Sequence, residues 1–88
     1  MIQNELEKQI NAELRRTKQL IKRFAKKKSP RLFIENVNSL QRRVNDMFCE
    51  LMLEDIYVFR KLSHKQDDFN SFVDTCWEYS QDDTRIVI

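Results

Sequence analysis

The sequence predicts an all-α protein: a long antiparallel helical hairpin, a short third helix that makes it a small three-helix bundle, and an extended C-terminal tail. Three observations lead to this prediction. The 88 residues contain no glycine, which tight β-hairpin turns and phosphate-binding loops require. Apolar residues recur with helical spacing along most of the chain. The single proline, Pro30, marks the clearest break in that spacing.

The first helix is predicted from about residue 3 to residue 27. Its apolar residues recur three, four or seven positions apart and fall on one arc of about 140°. They are Ile2, Leu6, Ile10, Leu14, Leu20 or Ile21, Phe24 and Ala25. The basic residues of its second half fall on the opposite arc. The helix is therefore expected to be amphipathic throughout and basic toward its C-terminal end.

The second helix is predicted to begin near Pro30, with Ser29 as its N-cap, and to run to about Leu62. Its first half has apolar residues in a heptad pattern typical of a coiled-coil seam. They are Phe33, Val37, Leu40, Val44, Met47 and Leu51. A continuous helix of this length is long for so small a domain. We therefore keep open a break near Glu54 or Asp55.

A polar loop is predicted at residues 63–66, followed by a third helix capped by Asp67 or Asp68 and ending near Ser80. Its apolar residues have helical spacing. They are Phe69, Phe72, Val73, Cys76 and Trp77. Residues 1–81 form one helical domain in this prediction, and residues 82–88 form a tail whose β-branched end favours an extended conformation.

The residue types exclude several kinds of chemistry. Cys49, Cys76 and His64 are the whole supply of soft metal ligands and lack zinc-site spacing, so we expect no metal. Both cysteines are interpreted as reduced thiols on buried helix faces. No glycine elbow accompanies a nucleophile. We expect no cofactor, no small-molecule substrate and no enzymatic activity.

The chain has no signal-peptide pattern and no apolar run that could cross a membrane. These features predict a soluble intracellular protein, cytoplasmic or nuclear, with no membrane contact.

The charge is unevenly distributed. Residues 1–48 carry 12 basic and 5 acidic side chains, a net of +7, and residues 49–88 carry 4 basic and 9 acidic, a net of −5. The stretch from Arg15 to Arg31 alone holds nine Lys or Arg and no acid. This basic stretch is an ordinary solvated helix face, an electrostatic rim around a protein interface, or a nucleic-acid contact.

A short third helix would cover only one half of the hairpin and leave the other half two helices thick. Its apolar residues would then stay exposed, unless they are simply scattered surface residues. The hypothesis is that a helix of another protein or of a second copy completes the bundle there, as a homo- or hetero-oligomer. The predicted apolar contact residues are Leu20, Ile21, Phe24, Phe33, Val37 and Leu40.

The predicted function is therefore that of a non-enzymatic protein–protein interaction module, such as an adaptor, an assembly subunit or a regulator of a larger protein. Basic side chains would surround the apolar contact and steer the encounter. They are Arg15, Arg16, Lys18, Lys22, Arg23, Lys26, Lys27, Lys28, Arg31, Arg42 and Arg43. The alternative is sequence-nonspecific binding of nucleic acid by the same basic helix face.

Overall fold

A computed structural model describes the backbone of residues 2–81 and the side chains from Glu5 onward. It contains three α-helices: α1 (Ile2–Lys26), α2 (Pro30–Glu54) and α3 (Ile56–Ser80). Each helix has 25 residues. The prediction of an all-α protein is confirmed. The predicted extended tail, residues 82–88, lies outside the described residues.

The connection between α1 and α2 is short, as the Ser29-Pro30 pair predicts. Lys28 has a positive φ of 55°, which turns the chain out of α1, and its N–H donates to the Ala25 carbonyl at 3.2 Å. The Ser29 hydroxyl accepts the Leu32 N–H at 3.3 Å, and Pro30 occupies the first helical turn. Serine satisfies an amide with no partner inside the helix, and proline has no N–H to satisfy.

A single residue, Asp55, separates α2 from α3. Its N–H donates to the Leu51 carbonyl at 2.8 Å and closes α2, while its Oδ1 accepts the Val58 N–H at 3.2 Å and caps α3. The predicted continuation of the second helix to Leu62 is therefore wrong, and the alternative of a break near Glu54 or Asp55 is the one observed. One residue is enough because its side chain replaces the backbone partner that the new helix lacks.

The predicted short third helix is also wrong, because α3 begins eleven residues before Asp67 and includes the predicted loop at residues 63–66. These polar residues are compatible with a helix because they reach solvent or a neighbouring helix. His64 is exposed, and Gln66 is half-buried and donates to Asn45 Oδ1 at 3.1 Å. With three helices of equal length, a two-helix hairpin is not a separate unit of the fold.

The helices form an up–down–up bundle. Lys61 pairs with Glu7 at 2.8 Å, and Lys65 donates to Asn11. Both pairs are 54 residues apart, so α3 runs parallel to α1. Hydrogen bonds from α2 to α3 join Gln41 to Asn70 and Asn45 to Gln66, so α2 runs antiparallel to α3.

The core follows the bundle axis from end to end. Its buried residues include Ile10, Leu14, Ile21, Phe33, Val37, Val44, Phe48, Leu51, Val58, Leu62, Phe69 and Val73. Cys76 is buried as predicted, but Cys49 is exposed, which corrects the prediction for that residue.

Full-length α3 removes the premise of the predicted partner site. Ile21, Phe33 and Val37 are 0%, 3% and 2% exposed, and the Trp77 ring lies 5.6 Å from that of Phe33. The end of the molecule that the sequence predicts to be two helices thick is three helices thick. Its apolar seam is covered from within the chain.

Candidate interaction surfaces

An apolar groove lies between α1 and α2, and we call it the α1–α2 groove. It has a volume of about 400 Å³. Its apolar lining consists of buried Ile10, Val44 and Leu51 and of half-buried Leu6, Leu40 and Met47. The groove extends over residues 6–17 of α1 and 40–54 of α2, which is about 17–21 Å of helix axis.

The rim of the α1–α2 groove is acidic. Glu13, Glu50 and Glu54 line it together with Arg43, so the rim has a net charge of −3 + 1 = −2. Glu13 also pairs with Arg16 within α1. Glu50 and Glu54 are exposed, so the acidic character is strongest near the α2–α3 turn.

The residues of α1 explain why this groove stays open. On the side of α1 that meets α2, the apolar series is interrupted by Glu13 and by the short, buried Thr17. A charged side chain turns toward water, and threonine fills less volume than leucine. Neither residue closes the space in front of Val44, so α1 and α2 are the least closely packed of the three helix pairs.

Exposed apolar side chains also cluster at the α2–α3 turn. Leu53 is 82% exposed and Tyr57 is 76% exposed, with Met52 and Ile56 partly exposed beside them. We call these four residues the apolar tip. Adjacent large apolar side chains in solvent are uncommon on monomeric proteins and are typical of contact surfaces.

A second groove lies between α1 and α3, and its lining is basic. Arg15 and Lys18 contribute from α1, and His64 and Lys65 from α3. Asn11, Leu14 and Asp68 complete the lining of what we call the α1–α3 groove. With His64 neutral, its net charge is +3 − 1 = +2.

Two aromatic rings continue this basic side toward the end of α1. The ammonium groups of Lys18 and Lys22 lie 5.5 and 5.9 Å from the centre of the Phe72 ring. Lys28 Nζ lies 3.4 Å from the centre of the Tyr79 ring and donates to the Tyr79 carbonyl at 3.0 Å. Attraction between a cation and an aromatic face restrains these long side chains.

The predicted apolar contact residues are thus separated by the fold. Ile21, Phe33 and Val37 lie in the core, and Leu20 and Phe24 are half-buried around it. Only Leu40 lines the α1–α2 groove. The other groove residues are not predicted from sequence, because a short third helix implies a different pairing of the helices. The interrupted pattern at Glu13 and Thr17 was the available signal.

The predicted basic residues do not form one surface. Six of the eleven belong to α1, and they are Arg15, Arg16, Lys18, Lys22, Arg23 and Lys26, with Lys27 and Lys28 in the turn that follows. Arg31 and Arg42 lie on the solvent side of α2, and Arg43 belongs to the rim of the α1–α2 groove. His64 and Lys65 of α3 line the same groove as Arg15 and Lys18 of α1. The sequence places both residues in a loop and so does not predict that they lie beside α1.

Cys76 is a buried side chain of α3. Burial raises the pKa of the Cys76 thiol, and nearby Lys22 opposes that rise only in part. The side chain therefore stays protonated at neutral pH and packs as a small apolar group.

Comparisons with protein-family models, with curated proteins and with solved structures find no match to this chain. Within residues 2–81, no helix is long and apolar enough to cross a membrane. In the same range, no three side chains of His, Cys, Asp or Glu lie together in a way that could hold a metal ion.

Proposed function

We propose that this protein is a non-enzymatic protein–protein interaction module, an adaptor or assembly subunit that binds an amphipathic helix of another protein in the α1–α2 groove. The single observation that carries the proposal is the combination of an apolar lining with an acidic rim in the groove between α1 and α2. This replaces the contact site predicted from sequence, of which only Leu40 remains.

The shape of the groove supports a helix as the ligand. A helix laid between α1 and α2 would extend a three-helix bundle to four, with side chains against Ile10, Val44 and Leu51. A groove of about 17–21 Å accommodates three to four helical turns. Binding an amphipathic helix in an apolar groove uses anchors three and four residues apart, which match such a length.

The charge of the rim supports a partner with basic residues. Lys or Arg beside the apolar stripe of the ligand would face Glu50 and Glu54, which are exposed on α2. Complementary charges at a rim mainly raise the association rate and discriminate between partners. The affinity would come from the apolar lining.

Photo-crosslinking in cells tests this proposal. A photoreactive amino acid replaces Gln9, which lines the groove, or Gln19, the matched control on the solvent side of the same helix. Gln9 should capture an apolar, basic helical segment of another protein, identified by mass spectrometry of the crosslinked peptide, and Gln19 should not. Equal capture from both positions, or capture of this chain itself at Gln9, would contradict the proposal.

Charge reversal makes the same test sharper. Glu50→Lys with Glu54→Lys should abolish capture at Gln9, because the rim would then repel a basic helix. Asp46→Lys with Asp74→Lys changes the net charge equally at exposed positions outside the groove and should leave capture intact.

A further inference from the structure

We infer that the basic side formed by α1 and α3 is a second, independent binding site, which takes the phosphate backbone of single-stranded nucleic acid without sequence preference. The site consists of the α1–α3 groove and the lysines beside Phe72 and Tyr79. It does not rest on the proposed function, since it uses different residues on a different side of the bundle.

The parallel register of α1 and α3 creates the site. Because Lys65 bonds Asn11, the α3 cation stands beside the α1 segment that carries Arg15 and Lys18. All three line one groove, in which Asp68 is the acidic member. Charges that are 50 residues apart in sequence thus act on the same ligand.

The cations continue in one direction along the bundle. Lys18 and Lys22 share the Phe72 ring, and Lys28 lies on the Tyr79 ring near the end of α3. From the height of Asn11 to that of Lys28 the row is about 25 Å long. Five cations follow it, and they are Arg15, Lys18, Lys22, Lys28 and Lys65.

Two features favour nucleic acid over an acidic protein as the ligand. Cations at successive turns of a helix form a row, which suits a polymer with one charge at each repeating unit. Aromatic rings also stand along the same row, and Tyr79 is 46% exposed. A positive groove that follows the backbone, with aromatic side chains along it, is the usual arrangement in proteins that bind single strands nonspecifically.

Fluorescence anisotropy with a labelled 20-nucleotide oligothymidine tests the inference on the full chain. Five neutralised phosphates would give a slope of log K against log salt of about −3.5, at about −0.7 for each phosphate of a single strand. No binding at low salt, or a slope near zero, would overturn the inference.

A pair of charge reversals locates the site. Arg15→Glu with Lys65→Glu, one residue from each helix, should lower the affinity at least about tenfold and reduce the slope by about 1.4. Arg42→Glu with Arg60→Glu makes the same change in net charge at exposed positions on α2 and α3 outside the groove, and should lower the affinity less than about threefold. Equal losses in both pairs would show diffuse attraction without a site and would overturn the inference.

Three further measurements test whether the loss of binding is due to charge and whether the ligand is nucleic acid. Arg15→Lys with Lys65→Arg should retain binding, which shows that charge rather than folding decides the result. Poly-glutamate should bind at least about tenfold more weakly than the oligonucleotide. Equal binding of poly-glutamate, or binding of vesicles with anionic lipid but not of the oligonucleotide, would assign the surface to another ligand and overturn the inference.

Discussion

The side-chain amides of Asn45 and Asn70 hydrogen-bond each other in both directions across α2 and α3. Asn70 Nδ2 donates to Asn45 Oδ1 at 3.2 Å, and Asn45 Nδ2 donates to Asn70 Oδ1 at 3.3 Å. Gln41 donates to Asn70 Oδ1 at 3.0 Å and Gln66 to Asn45 Oδ1 at 3.1 Å. This four-amide network fixes the register of α3 on α2, because a shift of either helix would break several of these bonds at once.

Replacing one asparagine of this pair should lower the free energy of unfolding more than replacing both. Asn70→Leu leaves the half-buried amides of Asn45 and Gln41 without their acceptor, so we expect it to lower the free energy of unfolding by about 1–3 kcal/mol. Asn45→Leu with Asn70→Leu removes the central polar groups and substitutes apolar contact. Urea unfolding of the two single variants and the double variant measures the coupling, and purely additive losses would contradict the reciprocal pair.

The start of α3 depends on Asp55. Asp55→Ala removes the acceptor for the Val58 N–H and should lower the free energy of unfolding by about 1–2 kcal/mol, whereas Asp55→Asn keeps an acceptor and should cost less. Urea unfolding of both variants measures the difference. Equal losses would mean that the side chain of Asp55 does not cap α3.

Hydrogen exchange checks the helical state of residues 63–66 directly. In the wild-type protein the amides of these residues should exchange as slowly as those of the neighbouring turns of α3, because they are hydrogen-bonded inside a helix. Fast exchange confined to residues 63–66 would show that they form the loop that the sequence predicts.

The sequence predicts the class of the fold and the end of α1 well, because both depend on local chemistry. Helical spacing, the absence of glycine and the Ser29-Pro30 cap are all visible in the chain. The start of α3 is less visible, since Asp55 caps it without proline or glycine and polar residues 63–66 look like a loop. Because the predicted third helix is too short, the sequence assigns the contact surface to Ile21, Phe33 and Val37. The full-length α3 buries these residues.

The two grooves could not be predicted, because each depends on which helices are neighbours and in what register. Lys65 joins Arg15 only when α3 runs parallel to α1 from Ile56. Glu50 and Glu54 join Glu13 only when α2 packs beside α1 along the opposite side of the core. The charge of each segment is a sequence property, but the surface that it belongs to is a property of the packing.

Burial of Cys76 should make stability fall at alkaline pH. Because its pKa is raised in the folded protein, the unfolded chain releases the thiol proton first as pH increases through the usual thiol range, near 8.5. Unfolding then releases a proton, so the free energy of unfolding falls as pH rises above that range and is unaffected by this group below it.

Cys76→Ala is the control for this effect, since it lacks the thiol and keeps every other ionisable group of the chain. The wild type should lose more stability than Cys76→Ala between pH 7.5 and 10 in urea unfolding. Exposed Cys49 should also react with a thiol reagent much faster than buried Cys76. Equal pH dependence of the two proteins would contradict the assigned pKa rise.

The most direct test of the central claim is an NMR titration of the ¹⁵N-labelled protein with the helical segment captured at Gln9. The largest amide shift changes should fall on the residues that line the α1–α2 groove, within 6–17 and 40–54, and Glu50→Lys with Glu54→Lys should remove them. Shift changes concentrated on the α1–α3 groove, or spread evenly over the three helices, would show that the α1–α2 groove is not the interaction site.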